Sequence, residues 1–186
     1  AGEDPPREMA SVRAVELGGV AVAVVAGGSH TCALLETGAV KCWGGAAYGQ
    51  LGLGDMEARG DAAGEMRNLT AVDLGAGRTA SALAAGEDFT CALLDSGDVA
   101  CWGRGGSGQL GIDDGSVSVG AGAGEMGANL STVLLGGAKA VGIAAGRQHA
   151  CALLAGGAVK CWGRGGRGQL GPGSQANAGA ATGARA

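Results

Sequence analysis

The sequence predicts an all-β chain of three like units, each a four-stranded antiparallel meander. The main observation is a triple recurrence. His30-Thr31-Cys32-Ala33-Leu34-Leu35-Glu36-Thr37-Gly38-Ala39-Val40-Lys41-Cys42-Trp43-Gly44 returns from Phe89 to Gly103 and again from His149 to Gly163. Each copy runs on into Gly-Gln-Leu-Gly, at 49–52, 108–111 and 168–171, so the period is 59 and then 60 residues. A second observation is punctuation: in the middle copy Ala71–Leu74, Ser81–Ala85, Thr90–Leu94 and Val99–Trp102 are short apolar stretches separated by turns that contain glycine. The third is composition. Glycine at 41 of 186 residues suggests disorder, but 46% hydrophobic residues arranged in regular runs need burial.

The units span about 8–54, 65–113 and 125–171, anchored by Glu8-Met9, Glu65-Met66 and Glu125-Met126 at equivalent places. A single unit cannot bury its own faces, so the copies must stack on one another. Residues 172–186 form an Ala/Gly-rich tail with no apolar periodicity and are expected to be flexible. The first copy opens close to Ala1, and the repeat frame reads the chain as a fragment of a longer protein.

The last turn of each unit can be derived in detail. If Leu94 faces Asp98, the loop is Asp95-Ser96-Gly97, a three-residue hairpin with glycine in the left-handed position. Pairing then continues as Leu93 with Val99, Ala92 with Ala100 and Cys91 with Cys101. The cysteine pair falls on a non-hydrogen-bonded site, where Cα atoms approach to about 4.5 Å, within disulfide reach. The same register pairs Cys32 with Cys42 and Cys151 with Cys161. A disulfide is favoured over a pair of buried thiols, and would add about 2.5 kcal/mol on the chain-entropy model. Zinc does not match, because no unit supplies a second cysteine pair to complete four ligands.

These residues resemble the repeats of the regulator of chromosome condensation family. The motif runs as glycine, two residues, His-Thr-Cys-Ala-Leu, a turn with glycine, Val-Lys-Cys-Trp-Gly, then Gly-Gln-Leu-Gly. The resemblance implies a β-propeller of four-stranded blades, with three of the units that a seven-bladed ring needs. Paired hairpin cysteines are similar to the variant found in secreted or surface-exposed members, which points to an oxidising compartment over cytoplasm or nucleus. Asn68-Leu69-Thr70 and Asn129-Leu130-Ser131 add two N-glycosylation acceptor patterns, although the favoured reading is that asparagine simply precedes a strand and the pattern came with the repeat.

Repetition decides how the candidate chemical groups are read. His30 and His149 share a position that Phe89 fills in the middle copy, so they read as strand-entry residues with local hydrogen bonds and not as catalytic bases. Trp43, Trp102 and Trp162 read as packing between units, and Gln50, Gln109 and Gln169 as amides that satisfy turn backbone. Gly103-Arg104-Gly105-Gly106 and Gly163-Arg164-Gly165-Gly166 lack the Lys-Ser or Lys-Thr ending of a phosphate loop. No nucleophile, base and carboxylate set converges, so no enzyme, metal or cofactor is expected.

Function is expected where the copies differ: at Tyr48, Arg104, Arg164 and Arg167 in the turns after each Trp, and in the insertions 55–67 and 113–127. A net charge of −4 with few basic clusters argues against nucleic acid as partner. The longest apolar run, Val20 to Ala26, is far too short to span a membrane as a helix. The expected function is a non-enzymatic module that holds a protein partner through rim loops. A guanine-nucleotide exchange segment for a small GTPase, the activity of the family's founding member, is the alternative.

Overall fold

The computed structural model describes residues 11–113, 117–171, 173 and 175–179. Glu8-Met9, residues 114–116 of the second insertion and most of the tail lie outside them. Three antiparallel sheets follow one another along the chain. The first holds β1 (Ala21–Ala26), β2 (His30–Leu35) and β3 (Val40–Gly44). The second holds β4 (Ala80–Ala85), β5 (Phe89–Leu94), β6 (Val99–Arg104) and β7 (Ser118–Val119). The third holds β8 (Ala140–Ala145), β9 (His149–Leu154) and β10 (Val159–Gly163). Together they form an open arc of propeller blades.

The hairpins have the expected register. Leu94 N–H donates to the Asp98 carbonyl at 2.8 Å, Gly97 takes φ +79°, and Leu93 pairs with Val99, Ala92 with Ala100 and Cys91 with Cys101. Disulfides join Cys32–Cys42, Cys91–Cys101 and Cys151–Cys161, with Cα separations of 4.1, 4.1 and 4.0 Å.

The fourth strand lies at the other edge from the one expected. Ala71–Leu74 does not flank β4; the Val72 N–H donates to the Val40 carbonyl of the preceding blade at 2.8 Å, and Val72 and Leu74 fill the seam between the two blades. Among the inner strands β4 packs against both β1 and β8. Pairing is added instead outside the third strand, by β7 in the second blade and by bridges Gly44–Arg59 and Gly163–Ala178 in the others. Ala178, in the tail, is therefore hydrogen-bonded to β10 in both directions.

The middle blade is buried on both faces, and alternation along its strands divides its side chains between two seams. Leu83, Ala92, Leu94, Ala100 and Trp102 pack toward the first blade, whereas Phe89, Cys91, Leu93, Val99 and Cys101 pack toward the third.

Each seam is closed by one repeated device. The Trp102 indole N–H donates to the main-chain carbonyl of Gln50 at 3.0 Å, and Trp162 does the same to Gln109 at 2.9 Å. The glutamine side chain holds its own turn in shape: Gln50 Oε1 accepts from Tyr48 N–H at 2.9 Å and Gln109 Oε1 from Ser107 N–H at 2.7 Å. The final glycine of the motif is required because the Trp ring lies against it. A Cβ on Gly52 would stand 2.8 Å from Trp102 Nε1, and its φ of +68° already disfavours other residues.

The first seam adds a polar pair. His30, fully buried, lies 2.8 Å from Thr90 Oγ1 through Nε2, so its partner is a residue of the next blade and not a local group as expected. The Thr90 hydroxyl donates its one proton to the Gln50 carbonyl at 3.0 Å, so Nε2 is the donor and the histidine is the neutral Nε2–H tautomer. Nδ1 has no partner. In the second seam Phe89 and Ala150 replace His30 and Thr90, so the polar pair gives way to an apolar pair as a unit.

Two outcomes test this account. Trp102→Phe leaves the carbonyl it serves with a single donor and should cost about 1–3 kcal/mol in urea unfolding. Trp43→Phe should cost well under that, because Trp43 makes no indole hydrogen bond among the described residues and is partly exposed. Burial holds His30 below the ordinary histidine range, opposed only in part by Asp88. As pH falls through about 6.5 the unfolded chain binds a proton that the folded chain refuses, so stability is lost on acidification. Between pH 7.5 and 5 the urea midpoint should fall, and the pair H30F/T90A, a copy of the second seam, should flatten that slope. An unchanged slope would assign the effect to other groups.

Candidate interaction rim

The rim on which the blades present their divergent residues is built by two turns per unit. One joins the first two strands, at residues 27–29, 86–88 and 146–148; the other follows each Trp. A backbone hydrogen bond ties them together in every copy, from Gly45 N–H to Ser29, from Arg104 to Asp88 and from Arg164 to Gln148, all within 2.8–2.9 Å. The inner turns are linked across the blades as well: Gly28 N–H donates to Glu87 and Glu87 N–H to Arg147, each at 2.9 Å.

This scaffold puts the arginines expected at the rim in three different settings. Arg104 stands over the Tyr48 ring of the preceding blade, with its guanidinium carbon 4.8 Å from the ring centre, and Nη1 is 3.4 Å from the Asp88 carboxylate. Its charge is partly matched. Arg164 donates to the neutral Gln148 amide oxygen at 2.9 Å. The Arg167 side chain is exposed and makes no ion pair among the described residues, while its backbone N–H is held by Gln169 Oε1 at 2.8 Å. Arg164 and Arg167 line one cleft of about 380 Å³ together with Arg147, Gln148, His149 and Gln169. Tyr48 and Arg104 thus form one cluster, and Arg164 and Arg167 another, one blade further along.

Sequence reasoning passed over the inner-turn residues. Arg147 is paired with Glu87 at 2.5 Å, and Gln148 Nε2 donates to the same carboxylate at 3.2 Å. The Arg147 guanidinium, with help from Gln148, holds the Glu87 carboxyl below its ordinary range, and Glu87 in turn raises Arg147. A signal for them was present: the two residues between the motif glycine and its aromatic ring differ in every copy, as Gly28-Ser29, Glu87-Asp88 and Arg147-Gln148.

The insertions expected to carry function have internal organisers. Glu65 Oε2 accepts from Gly60 and Ala62 N–H at 2.8 and 3.1 Å; Glu125 Oε2 accepts from Gly120, Ala121 and Gly122 at 2.8, 2.9 and 3.0 Å. These backbone donors keep the Glu65 carboxyl below its ordinary range. Asn68 and Asn129 are exposed on short 3-10 turns, each followed by a buried leucine. No helix among the described residues is long and apolar enough to cross a membrane, and no group of three acidic, histidine or cysteine side chains is gathered to hold a metal.

Comparison with known proteins identifies the repeat and the fold. The family model for the Regulator of chromosome condensation (RCC1) repeat matches residues 21–50, 80–109 and 140–169. The probable E3 ubiquitin-protein ligase HERC3 of Homo sapiens is 36% identical over 179 residues, which covers 95% of this chain and 16% of that protein. Human WBSCR16 superposes with a TM-score of 0.72 at 25% identity, over 91% of this chain and 39% of that one. Prp20p of Saccharomyces cerevisiae, whose structure was described with its binding to Gsp1p and histones, superposes with a TM-score of 0.68 at 21% identity, over 86% and 37%. The chain therefore spans about a sixth of the length of HERC3 and under two fifths of either structure.

Proposed function

Because the chain belongs to the regulator of chromosome condensation repeat family, with three units stacked as an arc of blades, we propose that it is a non-enzymatic interaction module whose arginine-bearing rim holds an acidic protein surface. One observation carries this reading. The two seams consume the repeated residues of the middle copy, whereas the rim turns hold arginine side chains in fixed positions with their charge only partly matched. Planar guanidinium groups suit bidentate pairing with carboxylates, and several on one rim can act together. Arg147 joins Arg104, Arg164 and Arg167 in this array, with Tyr48 as an aromatic neighbour.

The exchange-factor reading stands second. Its support is the likeness to Prp20p, described with Gsp1p, and at 21% identity that likeness extends to the fold alone. The hairpin disulfides support work in an oxidising compartment.

A fluorescent peptide rich in Asp and Glu is the probe. Binding should weaken steeply as salt is raised, and replacing Arg104, Arg164 and Arg167 together by alanine should lower affinity about tenfold or more, mainly through the association rate. Unchanged affinity and unchanged salt dependence would remove this rim as the binding surface. Accelerated nucleotide release from a small GTPase on addition of the chain would instead promote the exchange reading.

A further inference from the structure

The arginine-lined cleft already has a carboxylate on its wall, and that carboxylate belongs to the protein. Glu87 reaches from the inner turn of the second blade across the seam to two residues that line the cleft, Arg147 and Gln148. Its Oε1 is paired with Arg147 Nη2 at 2.5 Å, and its Oε2 accepts from Gln148 Nε2 at 3.2 Å, so both carboxylate oxygens are engaged. The contact lies at the surface, with the Glu87 side chain 27% exposed and that of Arg147 77%.

The backbone fixes this placement. Glu87 N–H donates to the Arg147 carbonyl at 2.9 Å, the rung of the inner-turn ladder that crosses the second seam. The same contact sets Gln148, whose amide nitrogen faces Glu87 and whose oxygen accepts from Arg164 Nη1 at 2.9 Å. One carboxylate thus bears on Arg147 directly and on Arg164 through a neutral amide. The next residue of the turn offers a comparison. Asp88 lies 3.4 Å from Arg104, whereas Gln148 holds the equivalent place against Arg164, so one blade answers its rim arginine with a charge and the next with a neutral group. The Arg147 guanidinium keeps the Glu87 carboxyl below its ordinary range, so Glu87 is an anion at neutral pH.

We propose that Glu87 is a specificity-determining residue of the rim, a built-in ligand that occupies Arg147 and that a partner's carboxylate must displace. The inference rests on the reading of the rim as a site for acidic surfaces. A partner with a single carboxylate exchanges one ion pair for another at Arg147 and is repelled by Glu87 as it arrives. A partner with several also engages Arg164 and Arg167, which brings its remaining charge to Arg147 at high effective concentration.

The Asp- and Glu-rich fluorescent peptide and the variant E87Q test this, because glutamine keeps an oxygen for Arg147 and removes the charge. E87Q should bind the peptide about fivefold tighter than wild type, the upper end for an exposed ion pair. That gain should need Arg147, so E87Q/R147A and R147A should bind alike. D95N removes one carboxylate from the hairpin turn at the other end of β5 and should shift affinity by less than about twofold, since salt screens a charge at that distance. If E87Q binds no tighter while the triple arginine variant still loses binding, the proposal fails and the rim reading stands. Weaker binding by E87Q would overturn it too, by making Glu87 a support for Arg147 and not its competitor. An equal gain in D95N, or a gain that survives R147A, would assign the effect to net charge and likewise overturn it. No binding by either wild type or E87Q would remove the rim reading and this proposal together.

Discussion

The structure depends on one hydrogen bond made twice, from a tryptophan indole N–H to the main-chain carbonyl of the glutamine turn on the blade before it. Without the indole the Gln109 carbonyl loses its side-chain donor and the Gln50 carbonyl keeps only the Thr90 hydroxyl, at a cost comparable to a lost hydrogen bond. The rest of the motif serves the contact. The glutamine amide fixes the turn so that its carbonyl points across the seam, the leucine after it is fully buried in the seam, and the closing glycine leaves room for the indole. The disulfide acts at right angles to this, closing the two strands of a blade where the indole closes two blades.

A middle blade must satisfy two neighbours at once, which accounts for the unbroken burial of β5. It also explains why so little of the repeated sequence is free for chemistry. The histidine that resembles a catalytic base is spent on Thr90, and the glycine clusters are spent on turns. Variation between the copies is concentrated at the rim, where Tyr48, Ser107 and Arg167 occupy one repeat position and Gly45, Arg104 and Arg164 another. A fixed backbone can thus carry different side chains around the arc.

Much of the fold was legible because the hairpin has a loop of fixed length. Once Gly97 is placed in the left-handed position, the register of β5 and β6 follows to the cysteines. The edge taken by the fourth strand was not legible, since the period says that Ala71–Leu74 belongs between two units but not which of them its backbone serves. The partner of His30 lies 60 residues away, across a seam that strand pairing within one unit cannot describe. At the rim the arginines after Trp102 and Trp162 stood out because their neighbours are glycine. Arg147 and Glu87 lie where the copies share no residue, and their ion pair forms only when two blades are stacked.

The central claim is that the indole-to-carbonyl bond locks each seam, and the three tryptophans allow it to be measured in one experiment. Hydrogen exchange of the three indole N–H groups, followed by NMR on dilute chain, reports each bond separately. Trp102 and Trp162 should be strongly protected and Trp43 should exchange quickly. Equal, fast exchange at all three would contradict the account, because it would mean that the blades are held together by something other than this bond.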